Sequence, residues 1–217
     1  DGTYKPADGL LASLEVFSDT GTEYVITDAQ QNAYTFDEEG RLIVYTNPEG
    51  NAWAYQYDSG DTLQRIVANN GQTYLFFVYD SNGRLTSVHD QFGRTITYTY
   101  TGSGDLTAVT DLLGQTWTYT YDSSHYLLSA LDPNGVVLER NEYDGQGRVV
   151  RQYDGSGNLL VGITYNSDGT STAIDAIGNT STYVFDNRGT SVAQSDPIEN
   201  QNETTYLASF RPFSLTS

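Results

Sequence analysis

Carboxylates are the commonest side chains in this sequence that could do chemistry. The chain has 217 residues with 28 Asp and Glu against 10 Lys and Arg, which gives a formal charge of −18, and it has no Cys. A glycosidase needs two carboxylates at one cleft, but with so many acids such pairs are expected by chance. The sequence has no Gly-x-Ser-x-Gly nucleophile motif and no thiol. It therefore predicts a protein that is not an enzyme.

Metal ions, nucleic acids and membranes are weighed in the same way. His89 lies beside Asp90, and His125 follows Asp122 at the place of a turn glycine, so both histidines are predicted to be surface turn residues. No EF-hand loop is present, so the prediction is no cofactor, with calcium kept as the less favoured alternative. The acidic charge excludes binding to a phosphate backbone. No apolar run approaches the roughly 18 residues of a membrane span, which predicts no membrane insertion.

The aspartates recur at a fixed spacing, which indicates that many of them serve architecture. An aromatic residue, followed in most copies by Asp, recurs every 20–22 residues. These pairs are Phe36-Asp37, Tyr57-Asp58, Tyr79-Asp80, Tyr100-Thr101, Tyr121-Asp122, Tyr143-Asp144, Tyr165-Asn166 and Phe185-Asp186. A second series with the same period is Gly50, Gly71, Gly93, Gly114, Gly135, Gly157 and Gly178. Two series with one period indicate a repeat array.

The array divides the chain into three predicted parts. Residues 27–196 form the repeats, residues 1–26 an N-terminal cap or connecting segment, and residues 197–217 a tail or strand-donating extension. Terminal repeats of an array lack a neighbour and need caps.

Each repeat is predicted to be a β-hairpin. The run before the aromatic residue alternates with period two, as in Ile96, Tyr98 and Tyr100, and threonines occupy the opposite face. The run after the turn has a Leu-x-x-Val spacing, which predicts a strand with a bulge or bend. The two runs together predict an all-β, curved, single-layer antiparallel ribbon of about eight hairpins without significant helix.

The turns have their own chemistry. Asp followed three residues later by Gly, as in Asp80 and Gly83, fits a type I turn closed by a left-handed glycine. Arg84 lies four residues after Asp80 and is predicted to pair with it across the turn. Arg41 and Arg148 stand in the same position relative to Asp37 and Asp144, which lets them form the same pair.

The motif Tyr79-Asp80-Ser81-Asn82-Gly83-Arg84-Leu85-Thr86-Ser87-Val88, followed by Asp90-Gln91-Phe92-Gly93, resembles the YD repeat of RHS proteins. That family includes bacterial toxin shells, cell-wall-associated proteins and teneurins. The resemblance implies hairpins joined side by side into a ribbon that spirals into a hollow shell, and an extracellular or cell-surface location.

Two further features concern glycans. Trp53 and Trp117 are candidates for stacking on sugar rings, although cross-strand packing of the sheet is the favoured explanation of its aromatic residues. Asn179-Thr180-Ser181 and Asn202-Glu203-Thr204 are candidate N-glycosylation sequons.

The predicted function is mechanical. The sequence favours an extracellular scaffold that self-associates end to end through unpaired terminal strands. Two alternatives remain: a cell-surface module that binds glycans or proteins, and a fragment of a larger toxin-encapsulating shell.

Overall fold

The structure, a computed structural model, describes residues 12–17, 21–185, 191–195, 201–206 and 212–216. These residues form 20 β-strands and no helix. None of them therefore builds a helix long and apolar enough to cross a membrane. The described residues belong to two compact units, one comprising residues 1–99 and 110–114 and the other residues 100–109 and 115–217.

Short connections of the length found in hairpins separate successive strands along the chain. They are β1 Ala12–Phe17, β2 Glu23–Asp28, β3 Ala33–Phe36, β4 Leu42–Thr46, β5 Ala52–Tyr57, β6 Leu63–Ala68, β7 Tyr74–Tyr79, β8 Leu85–Asp90, β9 Thr95–Tyr100, β10 Leu106–Thr110, β11 Thr116–Tyr121, β12 Leu127–Leu131, β13 Val137–Tyr143, β14 Val149–Asp154, β15 Leu159–Tyr165, β16 Thr170–Asp175, β17 Thr180–Phe185, β18 Ser191–Ser195, β19 Gln201–Tyr206 and β20 Pro212–Thr216.

Within each unit, every strand pairs antiparallel with the next one in the sequence. In the first unit this holds from β1 through β9. In the second unit it holds from β11 through β20. The prediction of an all-β ribbon of antiparallel hairpins is therefore confirmed.

A β-bulge explains the Leu-x-x-Val spacing. Tyr79 lies opposite Leu85, whereas the preceding residue, Val78, lies opposite Ser87, so Thr86 is an extra residue in β8. Because of this insertion, Leu85 and the residue three positions later share the face of Tyr79. The same shift occurs at Phe36, Tyr57, Tyr121, Tyr143 and Phe185. The predicted bulge is confirmed.

Lateral contacts between neighbouring strands replace a hydrophobic core. Among the described residues, Ala130 is the one buried apolar side chain, and Asp90 and Asn141 are the buried polar ones. Most other side chains of the strands are half-buried. Each hairpin is therefore stabilised mainly by the hairpins on either side of it, as in other repeat architectures.

Candidate functional site: the tyrosine-aspartate turns

The turn that begins at Asp80 shows how each hairpin is closed. The Gly83 N–H donates to the Asp80 carbonyl at 3.0 Å, and the Asp80 N–H donates to the Arg84 carbonyl at 2.9 Å. Oδ1 of Asp80 accepts from the N–H groups of Asn82 at 2.8 Å and Arg84 at 3.0 Å. Gly83 has a φ of 76°, a left-handed conformation that glycine adopts without steric cost.

Arginine binds the second oxygen of the same carboxylate. Nε of Arg84 donates to Oδ2 of Asp80 at 2.7 Å. The Arg84 backbone N–H is the main cause that holds the pKa of Asp80 below its ordinary value; burial opposes it, and the Arg84 side chain adds to it. The predicted pairs Arg41–Asp37, Arg84–Asp80 and Arg148–Asp144 are all present at 2.7 Å. Arg94 forms a fourth pair, with Asp90, which the sequence reading missed.

Two of these arginines also contact the tyrosine of the following repeat. The guanidinium carbon of Arg41 lies 5.6 Å from the centroid of the Tyr57 ring, and that of Arg148 lies 4.0 Å from the centroid of the Tyr165 ring. A guanidinium over an aromatic face is a favourable cation–π contact. Arginine therefore links its own turn to the next hairpin.

The hydroxyl group of the repeated tyrosine joins one hairpin to the previous one. Tyr79 donates to the Leu63 carbonyl at 2.8 Å, and the same bond occurs one repeat earlier, from Tyr57 to Leu42, at 2.9 Å. Tyr143 and Tyr165 repeat it with Leu127 and Val149 at 2.8 and 2.9 Å. Leu63 lies beyond the β6–β7 ladder, which begins at Arg65, so the hydroxyl supplies a donor where backbone pairing stops.

The sequence carried a signal for this bond that periodicity alone did not reveal. Six successive repeats have Tyr before the turn, whereas Phe stands at the first and the last, Phe36 and Phe185. The hairpin before Phe36, β1–β2, has no bulge at Phe17, and the hairpin before Phe185 has no bulge at Tyr165. Tyrosine, with its hydroxyl, therefore stands before the turn where the preceding hairpin has a bulge, and phenylalanine stands there where it has none.

Burial and the aspartate one turn earlier act together on these hydroxyls. Burial raises the pKa of Tyr79, and the charge of Asp58 raises it further. Tyr143 is affected in the same way, first by burial and then by Asp122. The phenols therefore remain neutral donors at ordinary pH.

Neighbouring turns also contact each other through the residue that follows the glycine position. Arg41 binds Asp61, and Asp105 binds Nδ1 of His125 at 2.8 Å. Asp61 and His125 have φ values of 63° and 67° and stand where other turns have glycine. Each residue is strained by this left-handed conformation, and each side chain contacts the neighbouring turn, Asp61 through Arg41 and His125 through Asp105.

The two histidines differ in their surroundings. His125 lies in a turn with an exposed side chain, as predicted. The prediction for His89 is wrong, because His89 lies within β8, half-buried, with its ring 5.1 Å from that of Phe76. His89 directly precedes the turn aspartate Asp90, but β8 continues through both residues.

The two tryptophans lie on the tyrosine face of separate strands. In β5, Trp53 stacks on Tyr45 with ring centroids 5.5 Å apart, and Tyr45 in turn lies 5.2 Å from Tyr34. On its other side Trp53 is paired with Ala68. Trp117 is half-buried in β11. The cross-strand packing that was favoured for the aromatic residues is thus present at Trp53.

The sequons differ in how much of them the structure describes. Asn179 is exposed, and its Nδ2 atom donates to Asp175 at 2.9 Å across a turn. The backbone of Asn202 lies in β19, and its side chain lies outside the described residues. Glycosylation of either asparagine stays a prediction.

The described carboxylates are occupied mainly by their own turns. Within the described ranges, no group of three or more His, Cys, Asp or Glu residues is placed to hold a metal ion. The repeat-defining glycines Gly83, Gly93, Gly114 and Gly135 all have φ between 76° and 78°, which fits their predicted role in closing turns.

Comparison with known families agrees with this geometry. The RHS Repeat family model matches residues 79–114 and 101–137, and the Teneurin YD-shell model matches residues 23–90. Residues 23–137 are therefore similar to the YD repeats of RHS proteins and teneurins. No curated protein sequence matches it significantly.

Solved structures show the same fold at low sequence identity. The structure of TcdB2-TccC3-TEV is similar with a TM-score of 0.52 and 16% identity over 97% of this chain. That of TcdB2-TccC3 has a TM-score of 0.50 and 16% identity over 94% of this chain. This chain spans 14% and 13% of the length of those two chains.

Proposed function

We propose that this chain is a structural segment in the wall of a YD-repeat shell and that it has no catalytic role. The proposal rests on the hydrogen bonds that the recurring aspartates and tyrosines make within their own turns and between hairpins. Both carboxylate oxygens of Asp80 accept hydrogen bonds within its own turn, and the Tyr79 hydroxyl binds the neighbouring hairpin. Groups committed to such contacts hold a sheet together and are not available to act on a substrate.

The ends of the ribbon support a role within a larger object. In the described residues, β1 pairs on one side with β2, and β20 pairs on one side with β19. Unpaired strand edges are templates for a further strand. We propose that these edges continue into further hairpins, and that the complete structure lies outside the cell, as secreted shells do.

Identifying the native polypeptide tests this proposal. An antibody against the 217-residue chain would be used to isolate the protein from its source for mass determination and electron microscopy. The expected result is a much longer polypeptide that forms hollow particles. A free polypeptide of 23.9 kDa that assembles into fibres would contradict the shell and favour end-to-end association through β1 and β20. A 23.9 kDa monomer would contradict both.

Glycan binding at Trp53 is a second candidate, which one contact favours. One face of the indole packs on Tyr45, but the residue paired with Trp53 on the other side is Ala68, whose small side chain covers little of a ring. A sugar ring could stack there. A glycan-array signal that Trp53→Ala removes, and that Trp117→Ala leaves unchanged, would support this candidate; a signal insensitive to Trp53→Ala would contradict it.

A further inference from the structure

The turn of Asp122 lacks the side-chain hydrogen-bond donor that binds Oδ2 of the aspartate in other turns. In four turns, those of Asp37, Asp80, Asp90 and Asp144, Oδ2 accepts from Nε of an arginine. In four others, those of Asp28, Asp132, Asp154 and Asp175, it accepts from Nδ2 of an asparagine. Asp58 accepts from Gln64. Oδ2 of Asp122 accepts no hydrogen bond from any described residue.

Two substitutions explain this difference. The position that holds arginine in the turns of Asp80 and Asp144 is occupied by Tyr126. The bulge position that holds Gln64 after the Asp58 turn is occupied by Leu128 after the Asp122 turn. Leucine has no donor. The Tyr126 hydroxyl lies against Gly147 of the next tyrosine-aspartate turn, and no hydrogen bond joins it to Asp122 in the described residues.

Tyr126 also takes the place that a guanidinium has in other repeats. Its ring stacks on Tyr143 with centroids 5.0 Å apart, whereas Arg148 lies over the corresponding Tyr165. At the Asp122 turn, two tyrosine rings therefore stack on each other where the Asp144 turn has an arginine over a tyrosine, and no described arginine binds the Asp122 carboxylate.

A groove adjoins this turn. It has a volume of about 550 Å³ and is lined by Asp122, Tyr126, Tyr143, Glu142 and Asp144, among others. Asp122 keeps Oδ1 engaged by the N–H groups of its own turn, at 2.8 and 3.0 Å. The groove thus combines an aromatic surface with an aspartate whose Oδ2 atom accepts no hydrogen bond from the described residues.

We infer that this groove binds the guanidinium group of an arginine side chain from a partner polypeptide. The arginine would donate to Oδ2 of Asp122, reproducing in trans the carboxylate contact that four turns make within the chain, and it would stack on the outer face of Tyr126. A planar guanidinium suits both a carboxylate and an aromatic face, whereas an ammonium is a point charge. The net charge of −18 attracts cations to the surface.

The probe is N-acetyl-arginine methylamide, with the citrulline and lysine analogues as controls, titrated into the full chain and followed by NMR. Citrulline keeps the shape of arginine without its charge. We expect the arginine compound to bind at least about tenfold more tightly than the citrulline compound and to weaken as salt is added. Equal binding of arginine and citrulline, or of arginine and lysine, would overturn the proposal.

Three variants locate the binding. Asp122→Asn should weaken binding of the arginine compound about tenfold, and Tyr126→Arg should abolish it, because the new arginine fills the position as Arg148 does for Asp144. Asp58→Asn is the matched control, since Gln64 already occupies that carboxylate, and should leave the affinity unchanged. Far-UV circular dichroism checks that each variant folds. Folded Asp122→Asn and Tyr126→Arg proteins that bind like the parent would contradict the inference.

Discussion

The hydroxyl of the tyrosine before each turn is the smallest group with a distinct role in this protein. In four repeats, those of Tyr57, Tyr79, Tyr143 and Tyr165, it donates to a backbone carbonyl on the neighbouring strand. A phenylalanine would fill the same space on the sheet but would leave that carbonyl without its donor. The residue type is therefore specified by a hydrogen bond between hairpins as well as by packing.

Removal of one such hydroxyl should lower stability measurably. We expect Tyr79→Phe to reduce the free energy of unfolding by about 1 kcal/mol, the usual contribution of one hydrogen bond, as measured by urea denaturation. Tyr98→Phe is the control, because no described residue hydrogen-bonds to the Tyr98 hydroxyl, and it should change stability by less than about 0.5 kcal/mol. Equal losses in the two variants would show that the Leu63 bond contributes nothing.

At the scale of the hairpin, the turn determines how two strands are joined. A left-handed glycine follows the aspartate by three residues, and a bulge then shifts the register by one residue. The bulge places Leu85 on the same face as Tyr79, which keeps the apolar residues of both strands together. Turn and bulge act as one element, since either alone would direct alternate side chains to the wrong face.

The left-handed glycine can be tested within this element. We expect Gly83→Ala to destabilise the protein by about 1 kcal/mol or somewhat more, because φ is 76° and nothing lies within 4 Å of the added carbon. Gly145→Ala, also free of close neighbours but without a positive φ, should be neutral or stabilising by up to about 1 kcal/mol. Thermal or urea unfolding would measure both. A Gly83→Ala protein as stable as Gly145→Ala would contradict the role of the turn conformation.

Contact between successive turns gives a second prediction at this scale. Gly147 has the same left-handed φ of 77°, but its added carbon would collide with Tyr126. Gly147→Ala should therefore cost more than Gly83→Ala, by about 1–3 kcal/mol for overpacking. Adding Tyr126→Ala to Gly147→Ala should recover that excess. If Gly147→Ala and Gly83→Ala unfold at the same urea concentration, Tyr126 does not contact the turn of Gly147 in solution.

At the scale of the whole molecule, stability is the sum of many lateral contacts. The described residues contain one buried apolar side chain, Ala130, so no central core holds distant repeats together. Each hairpin contributes its own turn and its contacts with two neighbours. A single substitution should therefore destabilise its own repeat more than distant repeats. A change in solvent conditions should act on the stability of all turns at once.

The pH is such a condition. The pKa values of ten turn carboxylates are lowered, so their contribution is present above the unfolded value near 4 and is lost as pH falls below it. They are Asp28, Asp37, Asp80, Asp90, Asp105, Asp132, Asp144, Asp154, Asp168 and Asp175. Burial raises the pKa values of Tyr57, Tyr79, Tyr121 and Tyr143, so their contribution is present below about 10 and is lost above it.

We therefore expect stability to be flat between about pH 5 and 9 and to fall on either side. Urea denaturation from pH 2 to 11 at constant ionic strength would measure it. A stability maximum at the isoelectric point near 4.1 would contradict this, because repulsion among the acidic charges would then outweigh the turn contacts. Asp80→Asn should reduce the acid-side slope relative to the parent.

The sequence by itself determined the hairpin period, the alternation of faces, the turn aspartates and glycines, and the Arg84–Asp80 type of pair. These are local features: all of them depend on residues within one turn or strand of each other, and local spacing encodes them directly. The tertiary structure decided which groups meet between hairpins, such as Tyr79 with Leu63, Tyr126 with Gly147, and His89 with Phe76. Those contacts join residues that lie 13 to 21 positions apart in the chain, and only the register between strands, which the bulges set, brings them together.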